Sequence, residues 1–184
     1  AYCDQVMANC ADGNAAYPDR DSCLAAAANM PEGPWNATGE NSVQCRAYHA
    51  SFPAAILDGE DGFIGGPDMH CPHAGISSDG DVCGGVCDAY CDQVTVNCTG
   101  DNRVYISRNI CVATCEKLLA EGANGMWNDT AADSVQCRAY HASFPAAITD
   151  ANAEGFLGGP EVHCDHATVN GGGVCIDMGM GGMG

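Results

Sequence analysis

The stretch "QCRAYHASFPAAI" occupies Gln44–Ile56 and returns without one difference at Gln136–Ile148. Its surroundings repeat as well: "AYCDQVMANC" (Ala1–Cys10) returns as "AYCDQVTVNC" (Ala89–Cys98), and "GGPDMHCPHA" (Gly65–Ala74) returns as "GGPEVHCDHA" (Gly158–Ala167). Self-similarity over such a period marks a duplicated structural unit. The chain divides into a first repeat over residues 1–86 and a second over residues 87–184, the latter closing in a Gly/Met-rich tail.

The cysteines carry the fold. There are 14 in 184 residues, an even number spread along the chain, and none forms a C-x-x-C knuckle. Phe and Trp number only 4 and 2, so the core is lean and needs covalent support. This pattern reads as a disulfide scaffold in an oxidising compartment. Cys3, Cys10, Cys23, Cys45, Cys71 and Cys83 match Cys91, Cys98, Cys111, Cys137, Cys164 and Cys175. Three bridges per repeat follow, with fifteen connectivities open. Two cysteines remain: Cys87 in the connector, and Cys115 where the first repeat has Ala27. These two are expected to pair.

Each repeat reads as a small helical domain with long Gly/Asp/Pro-rich loops and little sheet, a mainly α fold of two tandem disulfide-stapled units. Cys3, Val6 and Cys10 share one face at helical spacing. "PDRDSCLAAAANM" predicts a second helix opening at Pro18. A third is predicted from Asn41 or Asp133, taken as N-caps, to a stop near Pro53 or Pro145. The segment from Leu57 through "HCPHAG" reads as a loop.

All 6 histidines fall at equivalent places: His49, His70 and His73 in the first repeat, His141, His163 and His166 in the second. Cys45 and His49 lie at i,i+4, so a bridge at Cys45 aims His49. His70 and His73 flank Cys71 in the same way. Three imidazoles gathered by a rigid frame suit a transition metal, with copper preferred. The order "HC" argues against covalent c-type haem, while a noncovalent bis-histidine haem stays open. Tyr48 and Tyr140 precede the helical histidines as packing residues or hydrogen-bond donors. Arg46 and Arg138 are expected to answer nearby acids. Met178, Met180 and Met183 are thioether donors of the kind Cu(I) takes, though the tail reads better as a docking segment. "DGEDG" (Asp58–Gly62) and "DGD" (Asp79–Asp81) lack the EF-hand pattern and read as turns. Asn36, Asn97 and Asn128 head N-x-T sequons.

The net charge of -18 repels nucleic acid and anionic lipid surfaces. No charged leader or apolar run stands before Ala1, and no stretch approaches membrane-spanning length, so the chain reads as an exported, mature extracellular or cell-surface protein. No nucleophile elbow, H-E-x-x-H or phosphate loop is present, so no enzyme is expected. The combination of "YCDQVMANC", "VQCRAYHA" and "HCPHAG" resembles a cysteine-rich repeat of secreted and surface proteins of myxobacteria and related bacteria. That resemblance implies export from a bacterium and carries no assigned activity. Two functions fit: metal binding or electron transfer at three histidines per repeat, and a structural subunit of an extracellular filament without cofactor. The tail, in either case, is expected to join copies into a homo-oligomer or polymer.

Overall fold

The computed structural model describes residues 1–51, 66–143 and 159–176, apart from the side chain of Asp79. Among these residues all regular structure is helical. The first repeat contains α1 (Tyr2–Asn9), α2 (Arg20–Ala28), α3 (Val43–Ala50) and α4 (Pro67–Ala74). The second contains α5 (Val86–Asn97), α6 (Arg108–Ala120), α7 (Val135–Ala142) and α8 (Pro160–His166). The division proposed between residues 86 and 87 falls in the first turn of α5. No described helix is long and apolar enough to cross a membrane.

These helices run from 7 to 13 residues, at or below the length that holds by itself in water. Caps and bridges supply the rest. Asp19, Ser42, Ser107 and Ser134 each accept a hydrogen bond from a first-turn amide of α2, α3, α6 and α7. The sequence reading placed the caps of α3 and α7 at Asn41 and Asp133, one residue too early. It also opened α2 at Pro18, where the cap is Asp19 and the helix starts at Arg20. The caps are the serines because Asn41 and Asp133 are engaged elsewhere, by a buried guanidinium. Gln44 and Gln136, three residues past the expected caps, accept instead from the amides of Gly33 and Gly125.

The seven disulfides engage all 14 cysteines. Numbered along a repeat, the first cysteine joins the third, the second joins the fifth and the fourth joins the sixth. In the first repeat these are Cys3–Cys23, Cys10–Cys71 and Cys45–Cys83. In the second they are Cys91–Cys111, Cys98–Cys164 and Cys137–Cys175. Cys87 of α5 is joined to Cys115 of α6. The half-cystines, with Ala, Val and a pair of tyrosines per repeat, form two main apolar clusters, one in each repeat.

One further expectation is corrected. "PDMHCPHA" and "PEVHCDH" are helices, not loops. Pro67 and Pro160 sit in the first turn, where a missing amide costs nothing. Pro72, inside α4, removes one helical bond. The bridge from Cys71 to α1 anchors the turn around it. Helices α3 and α7 end at Ala50 and Ala142, capped by Ser51 and Ser143. The expected stops at Pro53 and Pro145, the "DGEDG" turn, the tail and its Met178, Met180 and Met183 lie outside the described residues.

Candidate metal centre

The site begins with α3 and α7. His49 and His141 sit in the last turn, one turn beyond Cys45 and Cys137, whose bridges fix that face. Opposite lie α4 and α8, pinned through Cys71 and Cys164 to α1 and α5. A tyrosine closes each frame: Tyr2 Oη donates to the Ala74 carbonyl (2.6 Å), and Tyr90 Oη donates to the Ala167 carbonyl. The carboxyl ends of the histidine-bearing helices α4 and α8 are thus tied to the first helix of their own repeat.

A guanidinium holds the two histidine helices together. Arg46 and Arg138 are fully enclosed. Arg46 donates to the carbonyls of Ser42, Gly75 and Ile76 and to Asn41 Oδ1. Arg138 donates to the equivalent carbonyls of Ser134, Thr168 and Val169 and to Asp133 Oδ1. The expectation that these arginines answer acids holds for Arg138, which meets Asp133, and is corrected for Arg46, whose partners among the described residues are backbone carbonyls and the Asn41 amide oxygen. A buried cation demands several acceptors, and the turns that follow α4 and α8 supply them.

Within these frames the imidazoles converge. His49 Nδ1 lies 3.1 Å from His70 Nδ1, and His141 Nδ1 lies 3.1 Å from His163 Nδ1 and 3.3 Å from His166 Nδ1. His73 completes the first set, its ring centroid 4.9 Å from that of His49 and edge-on to it. In each repeat one ligand atom from each of the three rings falls within 4.8 Å of the others. Nitrogens bound tetrahedrally at about 2.0 Å stand about 3.3 Å apart, close to the spacing of the His49–His70, His141–His163 and His141–His166 pairs.

The protons are placed for the task. His49 Nε2 lies 3.3 Å from the Thr38 carbonyl and His141 Nε2 lies 3.0 Å from the Thr130 carbonyl. A carbonyl only accepts, so the proton of each neutral ring sits on Nε2 and the Nδ1 lone pair faces the cluster. Burial favours the neutral form of His49, His141, His163 and His166. It holds His141 down to about 4, and the nearby charges of His166 and His163 push the same way. Burial also lowers His49, His163 and His166. Neutral imidazole is the ligand form.

The sulfurs of Cys45–Cys83 and Cys137–Cys175 lie beside His49 and His141. Each is spent in a disulfide, so neither provides a thiolate. Tyr48 and Tyr140 stand edge-on to the neighbouring His49 and His141 at 5.2 Å between ring centroids. The carbonyls of Thr38 and Thr130 are the functional groups that the sequence did not single out. Their signal is the repeated "WN-x-T", which reads equally as a sequon or as an anchored turn. The third sequon residue, Asn97, donates its amide to the Ala142 carbonyl at 2.8 Å.

Neither a curated protein nor a solved structure matches the chain. The model of the BfoA family C-terminal domain matches it twice, over residues 1–88 and 84–178. That tandem match spans both bridged frames and both histidine clusters, and the chain belongs to this family.

Proposed function

We propose that this is an exported extracellular protein that holds one transition-metal ion in each repeat, at His49, His70 and His73 and at His141, His163 and His166. The observation that carries the reading is the convergence of Nδ1 atoms at 3.1 to 3.3 Å, with the opposite nitrogen of His49 and His141 committed to a carbonyl. Copper is the preferred ion. Among the described residues the donors are neutral nitrogens without thiolate or carboxylate, and on such a set Cu(II) outranks the other common divalent metals. A small ion suits this spacing better than haem, whose opposed axial nitrogens stand about 4 Å apart. The role is metal binding or electron transfer rather than hydrolysis. Fourteen bridged cysteines support life in an oxidising exterior, and self-assembly there belongs to the same proposal.

Elemental analysis and the visible spectrum of protein purified without chelator, then loaded with Cu(II), test the reading. One ion per repeat is expected, falling by half in His49→Ala or His141→Ala and vanishing in the double variant. Substoichiometric metal after loading would leave the structural-subunit reading in its place, and a Soret band would replace copper with haem.

A further inference from the structure

The two repeats pack on each other through unlike faces. Helix α5 of the second repeat fills a groove in the first, where Ala89, Asp92 and Gln93 meet Met30, Pro31 and Ile76 without room for a water molecule. Gln93 Nε2 donates to the Ala26 carbonyl and Asn41 Nδ2 donates to Asp92, both at 3.0 Å. Beside this helix the Trp127 ring lies against Gly75, so close that a Cβ there would come within 3.1 Å of it. Tyr17, Pro18 and Ile76 line the cleft alongside.

Repetition predicts a second such groove and a second such key, and both are open. The residues equivalent to Pro31, Asn41, Arg46 and Ile76 are Ala123, Asp133, Arg138 and Val169, and they line an open groove of about 760 Å³. Exposure follows: Ile76 is 4% exposed where Val169 is 42%, and Ser22 is 5% exposed where Ile110 is 44%. The key is Trp35, the equivalent of Trp127, which is 90% exposed. Among the described residues, one molecule therefore carries an unfilled groove on its second repeat and an unused key on its first.

We propose that a second copy of this chain fills the groove, seating its α1 and Trp35 against the second repeat as α5 and Trp127 seat against the first. The contact is heterologous, so it propagates head to tail into a filament or a ring. Two substitutions tune it. Thr168 stands where Gly75 does, so Trp35 rides higher, over the exposed Ile106 and Val169. The internal Asn41–Asp92 pair becomes Asp133 facing Asp4, each already paired with an arginine, and copies of a chain of net charge -18 repel one another, so added salt strengthens the junction by screening that repulsion. This inference deepens the assembly half of the reading above and is independent of the metal.

Sedimentation velocity on the full chain, across a concentration series at low and high salt, tests it. The wild type is expected to form a ladder of multiples that lengthens with salt. Trp35→Ala loses the key and Val169→Glu loses the groove; both sites are exposed, so both variants should keep the wild-type circular dichroism. Each alone stays monomeric, and their mixture gives dimers and nothing larger, because one intact key meets one intact groove. Removing residues 177–184 leaves assembly unchanged. A wild type that stays monomeric, a Trp35→Ala chain that assembles normally, or assembly lost only with residues 177–184 overturns the proposal.

Discussion

The two repeats differ least at their histidines and most in how their second helices are supported. Nδ1 of His49 and of His141 each meet a second Nδ1 at 3.1 Å, and the same three bridges frame both clusters. Around that constant centre, α2 is braced from the other repeat: Gln93 of α5 bonds its Ala26 carbonyl, and α5 packs on Met30 and Pro31 just beyond its end. The equivalent α6 has no such cover among the described residues, and it carries the extra bridge from Cys115 to Cys87. Ala27 suffices where a neighbouring helix does the holding. The duplication kept the chemistry fixed and exchanged one kind of support for another.

That comparison is sharpened first at the arginines. If the centres are equivalent, Arg46→Met and Arg138→Met should each cost about 3 to 5 kcal/mol, since several buried carbonyls lose their donor at once. Chemical denaturation followed by circular dichroism measures this. A cost confined to one repeat would break the equivalence.

The next effect separates the repeats. Replacing Cys87 and Cys115 with alanine opens a loop of 28 residues. The chain-entropy argument gives a loss of about 3.5 kcal/mol. Because the first repeat has no counterpart of this bridge, metal uptake at His49 should be untouched while hydrogen exchange along α6 accelerates. Faster exchange along α2 as well would show that the bridge supports both repeats.

The smallest effect is in pH. His141 is held at about 4 in the folded chain against 6.5 in the unfolded one. The unfolded state thus binds the proton more readily, and its contribution favours folding fully above pH 6.5. It is lost as pH falls toward 4, by at most about 3 kcal/mol in metal-free protein. His49, lowered in the same direction, follows the same sign. Thermal unfolding of metal-free protein between pH 7 and pH 4 checks this. Stability that rose on acidification would remove burial as the cause.

Much of this was legible in the sequence, because cysteines and histidines announce themselves by type and the duplication repeats all but Cys87 and Cys115. Six histidines at equivalent positions and a leftover pair of cysteines need no tertiary knowledge. What escaped was decided by context. Asn41 and Ser42 are both good caps, and only the buried demand of Arg46 assigns one to the helix and the other to the guanidinium. Pro72 argues for a loop until the bridge at Cys71 is known. Trp35 and Trp127 sit in the same motif, and nothing local tells that one ring is covered and the other bare.

The interleaved order of the bridges has a consequence for proteolysis. The spans Cys3–Cys23, Cys10–Cys71 and Cys45–Cys83 overlap, so one backbone cut anywhere between Cys3 and Cys83 leaves the pieces joined. The four bridges of the second repeat overlap likewise from Cys87 to Cys175. A nicked chain would run at full length on a non-reducing gel and fall apart only with reductant. Between Cys3 and Cys175 a single gap remains, from Cys83 to Cys87. There Gly84 turns at φ 88° against Asn41, and Val86 is buried in α5. The one place where a protease can part the two repeats is thus a half-buried turn of two glycines between buried neighbours.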